Sequence, residues 1–299
     1  MTDLTYVALT GRGLVRLSGD DTTGFLQALV TNDVERVTES RAVYAALLTA
    51  QGKYLHDFFM FRHRGALWLD CEAARTDDLL HRLGRYKLRA KVEMEDAGSE
   101  LSVFALLGAG VRETLGLGDG AGAAAAFGGG IAYADPRIAA IGARVALPPD
   151  QAAASLAEAG FAAGTPAHYD RLRVSLGLPD GSHDMEVERA MPLENGFEEF
   201  NGVDFDKGCY VGQEVTVRIK TRGLVRKRLL PVAIEGEAPA CGTPVMRGDA
   251  EAGRIRAVVD GAGLALLRLD HVAAAAAGGA ALTAGDAVIR PLKPGRAKT

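Results

Sequence analysis

Lys207-Gly208-Cys209-Tyr210-Val211-Gly212-Gln213-Glu214 is the stretch on which the reading of this chain turns. A cysteine stands between two glycines, with a lysine two residues before it and an amide and a carboxylate just after. A packing cysteine usually has apolar neighbours, so these polar surroundings point to chemistry. A thiol reacts as thiolate, and a nearby cation or backbone N–H group lowers its pKa from about 8.5. If the segment is extended, Lys207 and Cys209 project to one side, and Lys207 is expected to favour the thiolate. Gly208 and Gly212 let a flat ligand approach the backbone or adopt positive φ. Gln213 donates and accepts hydrogen bonds, while Glu214 accepts a proton or pairs with Arg218. The alternative is a small buried residue in a tight turn. Of the other cysteines, Cys71 between Asp70 and Glu72 reads as structural and Cys241 as part of a turn.

An apolar fraction of 48% with 24% charged residues fits a globular protein of two or three domains at 299 residues. A net charge of −4 argues against general DNA, RNA or membrane binding. Locally, Lys207, Arg218, Lys220, Arg222, Arg226, Lys227 and Arg228 face one acid, Glu214. That patch either attracts an anion such as phosphate, RNA or a polyglutamate tail, or forms the solvated face of a strand pair. Three cysteines make no disulfide framework and suit a reducing compartment. Met1-Thr2-Asp3-Leu4 starts no signal peptide and no apolar run reaches ~18 residues, so a cytoplasmic protein off the membrane is expected. No cysteine or histidine spacing suits a permanent metal or cluster site, so no metal is expected.

Leu14–Leu17 reads as a strand, followed by a helix capped at Asp20 or Asp21 and running to about Val30. Val43–Thr49 and Tyr54–Phe61 bracket a hairpin turn, Ala66–Cys71 adds a strand, and Thr76 caps a helix through Leu79, Leu80 and Leu83. Lys91–Glu95 and Leu101–Leu107 are strands again, which suggests an α+β fold. The Gly/Ala-rich segment 116–130 reads as a mobile surface loop. Ala167–Leu176 is a helix, and acids fill the loop from Asp180 to Glu188. Val215–Ile219, Leu229–Ile234, Ile255–Val259, Leu264–Leu269 and Ala287–Ile289 read as short strands of a small barrel.

The octapeptide resembles the signature of the YgfZ-type folate-binding proteins, relatives of the glycine-cleavage aminomethyltransferase that act in iron–sulfur protein maturation. The resemblance extends to Gly24-Phe25-Leu26-Gln27, Thr31-Asn32-Asp33-Val34, Gln51-Gly52-Lys53 and Tyr86-Lys87-Leu88-Arg89-Ala90-Lys91-Val92. Pro192-Leu193-Glu194-Asn195, Asn201-Gly202-Val203 and Val225-Arg226-Lys227-Arg228-Leu229 are closest to the mitochondrial iron–sulfur assembly branch. The resemblance implies a three-domain ring of the aminomethyltransferase folate-binding type around a folate-sized channel. Residues 1–45 plus 165–224 would form a discontinuous first domain. Residues 46–164 would form a ferredoxin-like inserted domain, and 225–299 a C-terminal β-barrel.

Tetrahydrofolate is the implied cofactor, with Glu194 accepting the donor edge of the pterin or, alternatively, pairing with a loop arginine. Tyr169 and Arg12 fall at ligand-adjacent positions, and Asn32, Gly208, Tyr210, Gly212 and Arg218 complete the expected contacts. Where the aminomethyltransferases carry a carboxylate pair, this chain has His56-Asp57, with one carboxylate. The candidate chemical residues are thus Cys209, Lys207, Gln213, Glu214 and Asp57. The leading expectation is a folate-binding accessory factor for assembly or repair of [4Fe–4S] proteins. It would be a monomer whose partners are assembly or client proteins, an RNA-modifying iron–sulfur enzyme among them. Whether it is an enzyme is left open, with aminomethyltransferase-like one-carbon transfer as the alternative. A third reading is an RNA-binding module on Arg218–Arg228, although interleaved aromatics for base stacking are lacking.

Overall fold

Two β-sheets stack face to face with helices on their outer sides, and a closed barrel follows in the chain. The computed structural model describes residues 4–293; Met1–Asp3, which the leader-peptide reading used, lie outside them. In chain order come β1 (Thr5–Ala8), β2 (Arg12–Ser18), α1 (Thr22–Gln27), β3 (Val43–Leu48), β4 (Tyr54–His63) and β5 (Ala66–Glu72). Next are α2 (Thr76–Lys87), β6 (Glu93–Asp96), β7 (Ser102–Leu107), α3 (Val111–Thr114), β8 (Ala124–Phe127), β9 (Gly130–Ala134) and β10 (Ala143–Leu147). Then follow α4 (Ala152–Glu158), β11 (Ala162–Ala163), α5 (Pro166–Leu176), α6 (Gly181–Asp184) and α7 (Gln213–Thr221). The rest is β12 (Lys227–Glu235), β13 (Pro244–Arg247), β14 (Ala250–Val259), β15 (Ala262–Arg268), α8 (Leu269–Ala276), β16 (Leu282–Ala284) and β17 (Ala287–Pro291).

One sheet has the order β3-β4-β5-β2-β6, the other β11-β1-β7-β10-β9-β8, and β12-β15-β14-β13-β16-β17 close into a barrel. The long apolar run of β4 has its cause here, since both its faces are covered. Phe59 and Phe61 join Tyr44, Trp68, Ile131 and Tyr133 between the sheets. Phe58 and Met60 face the opposite way, onto Leu26 of α1 and Leu79 and Leu83 of α2. Leu156 and Val111 cover the outer face of the second sheet. The barrel fills its interior with Val232, Val245, Ile255, Leu267 and Ile289. Val174 of α5 packs against it through Leu229, Ala257 and Leu264. None of the described helices is long and apolar enough to cross a membrane.

Several local expectations are corrected. Val215–Ile219 is helical, inside α7, because Gly212 at φ 84 turns the chain into a helix start. The alternating β-branched residues there had suggested a strand. The segment 116–130 is not a free loop: it contains β8, paired with β9, and a Cβ at Gly122 would stand 2.0 Å from the Ala42 carbonyl oxygen. Asp21 occupies the N-cap position of α1 as expected, but its side chain makes no capping bond there and accepts from the Lys91 N–H instead. Thr76 is the first residue of α2 rather than its cap, and its hydroxyl lies 3.8 Å from the buried Cys71 sulfur.

Candidate functional site

Cys209 lies exposed on an irregular segment between Gly202 and α7. The segment is not extended, because Gly208 has φ 96. Lys207 and Cys209 therefore part company. The Lys207 ammonium turns into the end of the α1 segment and donates to the carbonyls of Gln27 at 2.8 Å, Val30 at 2.7 Å and Asn32 at 2.7 Å. Those carbonyls lie at and just beyond the end of the short helix α1, whose last carbonyls have no intrahelical partner, and a lysine there satisfies three at once. Burial pulls the Lys207 pKa down to about 8.

The other side of Cys209 is held as firmly. Tyr210 is buried, with the Lys207 ammonium 5.4 Å from its ring centroid. Its hydroxyl is buried and has no hydrogen-bond partner among the described residues, and burial lifts its pKa to about 12. Val211 N–H donates to the Ala28 carbonyl at 3.2 Å. Gly212 interlocks with the β3–β4 turn: a Cβ there would meet the Thr49 carbonyl oxygen at 2.5 Å and Gly52 Cα at 3.1 Å. The loop is thus anchored on both sides of one exposed thiol, which is what presentation to a partner molecule requires. Gly208, by contrast, faces open space. Gln213, Glu214 and Arg218 line an open recess of about 790 Å³ with Tyr210 and Gly212. The expected Glu214–Arg218 ion pair is not formed among the described residues.

Asp57 is buried at 5% exposure and accepts from the hydroxyls of Tyr44 at 2.9 Å and Tyr54 at 2.7 Å. Burial, then the Asp57 charge, keeps both phenols protonated as donors. One tyrosine per carboxylate oxygen fixes the orientation of Asp57 in the core.

Arg12 is likewise buried. Its Nε donates to Asp70 at 2.6 Å. Asp70 also accepts from Tyr133 at 3.0 Å and Arg144 at 2.9 Å, tying one sheet to the other. Arg144 reaches Tyr169 at 3.0 Å, and Arg137 pairs with Asp135 at 2.8 Å. The guanidinium carbons of Arg12, Arg137 and Arg144 lie 5.7, 4.8 and 3.9 Å from the Phe59 ring centroid. The ring on which Arg12 stacks is therefore the protein's own. Sequence reasoning passed over Tyr44, Tyr54, Asp70, Arg137 and Arg144. The available signal was a charge inside an apolar strand, as with Asp70 in Ala66–Cys71.

The expected folate contacts fall in separate clefts. Arg12 and Tyr169 line a cleft of about 160 Å³, and Asn32 lines another. Glu194 follows the Met191-Pro192 turn and lines a third, of about 290 Å³, with Arg189, Arg254, Arg256 and Lys227. Burial raises the Glu194 pKa. Its expected ion pair with a loop arginine is absent among the described residues. A half-buried carboxylate without a cation in contact suits a ligand with a donor edge. The cleft also holds Glu186, paired with Arg189 and Arg256, and Glu251, paired with Arg254, so Lys227 is its one basic side chain without an ion pair among the described residues. Among the described residues no group of three or more His, Cys, Asp or Glu side chains is arranged to hold a metal ion.

Comparison with known proteins follows this geometry. The family profile described as the CAF17 C-terminal β-barrel domain matches residues 226–299, and the GCVT N-terminal domain profile matches 6–121. The chain is similar to the iron–sulfur cluster assembly factor IBA57, mitochondrial, of Mus musculus. Identity is 34% over 291 residues, covering 90% of this chain and 78% of that one. The Homo sapiens protein of that name is 34% identical over 279 residues, covering 87% and 76%. The Neurospora crassa homologue is 33% identical over 241 residues; the match takes in 77% of this chain and about half, 54%, of that longer one. Among solved structures, the glycine cleavage system aminomethyltransferase T from Bartonella henselae superposes with a TM-score of 0.75 at 14% identity, over 97% of this chain and 85% of that one. The fold is therefore the aminomethyltransferase type with a closed six-stranded C-terminal barrel. The relatives carry the IBA57 name rather than the YgfZ one. They are named mitochondrial, which overturns the cytoplasmic location expected above.

Proposed function

The chain belongs to the iron–sulfur cluster assembly factor IBA57 family, and on that premise we propose that it serves assembly or repair of [4Fe–4S] proteins through Cys209. The observation that carries this reading is the doubly anchored loop: Lys207 on one side, Tyr210 and Gly212 on the other, and the thiol exposed between them. A lone thiolate cannot complete the coordination of a cluster, which commonly takes four cysteine ligands. Its role is then to share a cluster or an iron in transit, with a client or assembly protein supplying the other ligands. An RNA-modifying iron–sulfur enzyme is one client class that this scheme accommodates. In a strain lacking the protein, [4Fe–4S] enzyme activity falls and the wild-type chain restores it; unchanged activity on deletion removes the role.

Tetrahydrofolate is the ligand proposed for the Glu194 cleft. Glu194 accepts the pterin donor edge, while Lys227, which makes no ion pair among the described residues, faces the glutamate tail. When bound, folate supplies a one-carbon carrier or a structural ligand. Calorimetric titration of tetrahydrofolate tests this half separately, and absence of binding removes it. The runner-up, a folate-dependent aminomethyl transfer, is disfavoured because His56-Asp57 supplies one carboxylate where the aminomethyltransferases carry a pair. Production of methylene-tetrahydrofolate from an aminomethyl donor by the purified protein would reverse that order.

A further inference from the structure

A cleft of about 420 Å³ that neither the thiol loop nor the Glu194 site uses opens among the cations Arg36, Arg41 and Lys220, the acids Asp204 and Asp206, and the Phe205 ring. Its three cations come from two parts of the chain. Arg36 sits on the turn Val34–Arg36, Arg41 just before β3, and Lys220 on α7.

Two of these cations are already engaged. Arg36 makes one contact with Asp204, through NH1 at 3.2 Å, which leaves the rest of its fork free. Lys220 pairs with Glu198 at 2.9 Å and lies 3.6 Å over the Phe205 ring. Arg41 differs. Its Nε is buried with no hydrogen-bond partner, and it forms no ion pair among the described residues. Arg41 as a whole is half-buried, but an N–H left in this state is costly, because a buried donor that has lost water and gained nothing bears its desolvation penalty. Burial, and then repulsion from Arg36, lowers the Arg41 pKa.

We propose that this cleft binds a small phosphate-bearing molecule, its oxygens held between the forks of Arg41 and Arg36. A phosphate suits the site better than a carboxylate, since its three oxygens can accept from two planar forks and still meet the Lys220 ammonium. The amide of Asn201 and the Phe205 ring bound the remaining space, where the organic part of the ligand would lie.

Inorganic pyrophosphate is the probe, titrated into the full chain by calorimetry at constant ionic strength with acetate as the control anion. Pyrophosphate is expected to bind and to raise the melting temperature in a concentration-dependent way, with acetate inert. Arg41→Gln should weaken binding at least tenfold, and Arg36→Gln, at the exposed rim, should weaken it several-fold in a protein of unchanged fold. Glu194→Gln should leave it unaltered, which separates this site from the folate cleft. No binding of pyrophosphate at millimolar concentration, or equal binding by wild type and both arginine variants, overturns the proposal.

Discussion

The Lys207 Nζ stands 2.7 Å from the Val30 carbonyl oxygen and donates to it, joining the thiol loop to the end of the first helical segment across 177 residues of chain. The same ammonium serves Gln27 and Asn32, so its removal strands three acceptors together. Lys207→Met is expected to cost about 1–3 kcal/mol, the range for buried groups left unsatisfied. Lys207→Arg should not restore this, because a planar fork cannot converge on three carbonyls as an ammonium does. Urea denaturation of the three proteins checks it; superimposable curves would show that the anchor contributes nothing.

Gly208 and Gly212 both have positive φ but differ in surroundings. A Cβ at Gly208 meets nothing within 4 Å, whereas one at Gly212 stands 2.5 Å from the Thr49 carbonyl oxygen. Gly208→Ala should lower stability by about 1–2 kcal/mol, the cost of a left-handed backbone alone. Gly212→Ala should lower it by clearly more, since the turn at Gly52 must also move. Calorimetric melting of both variants decides, and equal losses would contradict the interlock.

His56 is 2% exposed, with Nε2 2.9 Å from Asp78. Burial pulls its pKa down to about 4, against about 6.5 in an unfolded chain. Between those values the unfolded chain holds a proton that the folded one lacks. Stability is therefore fully present above about 6.5 and falls as pH drops through the window, by about 1.4 kcal/mol per pH unit at most. His56→Gln should flatten that part of the stability–pH curve. An unchanged slope would assign the acid sensitivity elsewhere.

Glu194 separates stability from binding. Burial raises its folded pKa, so the stability it contributes exists at low pH and is lost as pH rises through that value. At neutral pH Glu194→Gln removes the cost of a desolvated charge, and its melting temperature should equal or exceed that of wild type. Tetrahydrofolate affinity should fall at least tenfold in the same protein. A joint loss of stability and binding would instead make Glu194 a structural residue.

Much of the fold could be read from the sequence because its apolar patterns are consistent. The β3–β4 hairpin, β5, β7, α5 and the barrel strands β12, β15 and β17 lie where the periodicity puts them, β14 begins earlier than expected, and the short β13 and β16 were not read. Helix α7 was missed because Val215, Val217 and Ile219 alternate as a strand does, and only the turn at Gly212 reveals the helix. Cys209 could be recognised from its neighbours, but the task of Lys207 could not. Its acceptors are backbone carbonyls, and no side-chain pattern records those. The Asp70 network was equally hidden, since it joins strands of two different sheets.

The account rests on the exposed thiol, and one measurement bears on it most directly. [4Fe–4S] enzyme activity is assayed in a strain lacking the protein and carrying either Cys209→Ser or Cys241→Ser, with protein levels matched by immunoblot. Cys241 is also exposed, on a turn leading into β13, and provides the control. The account predicts that Cys241→Ser restores the activity fully and Cys209→Ser leaves it near the deletion level. Full restoration by Cys209→Ser would contradict it.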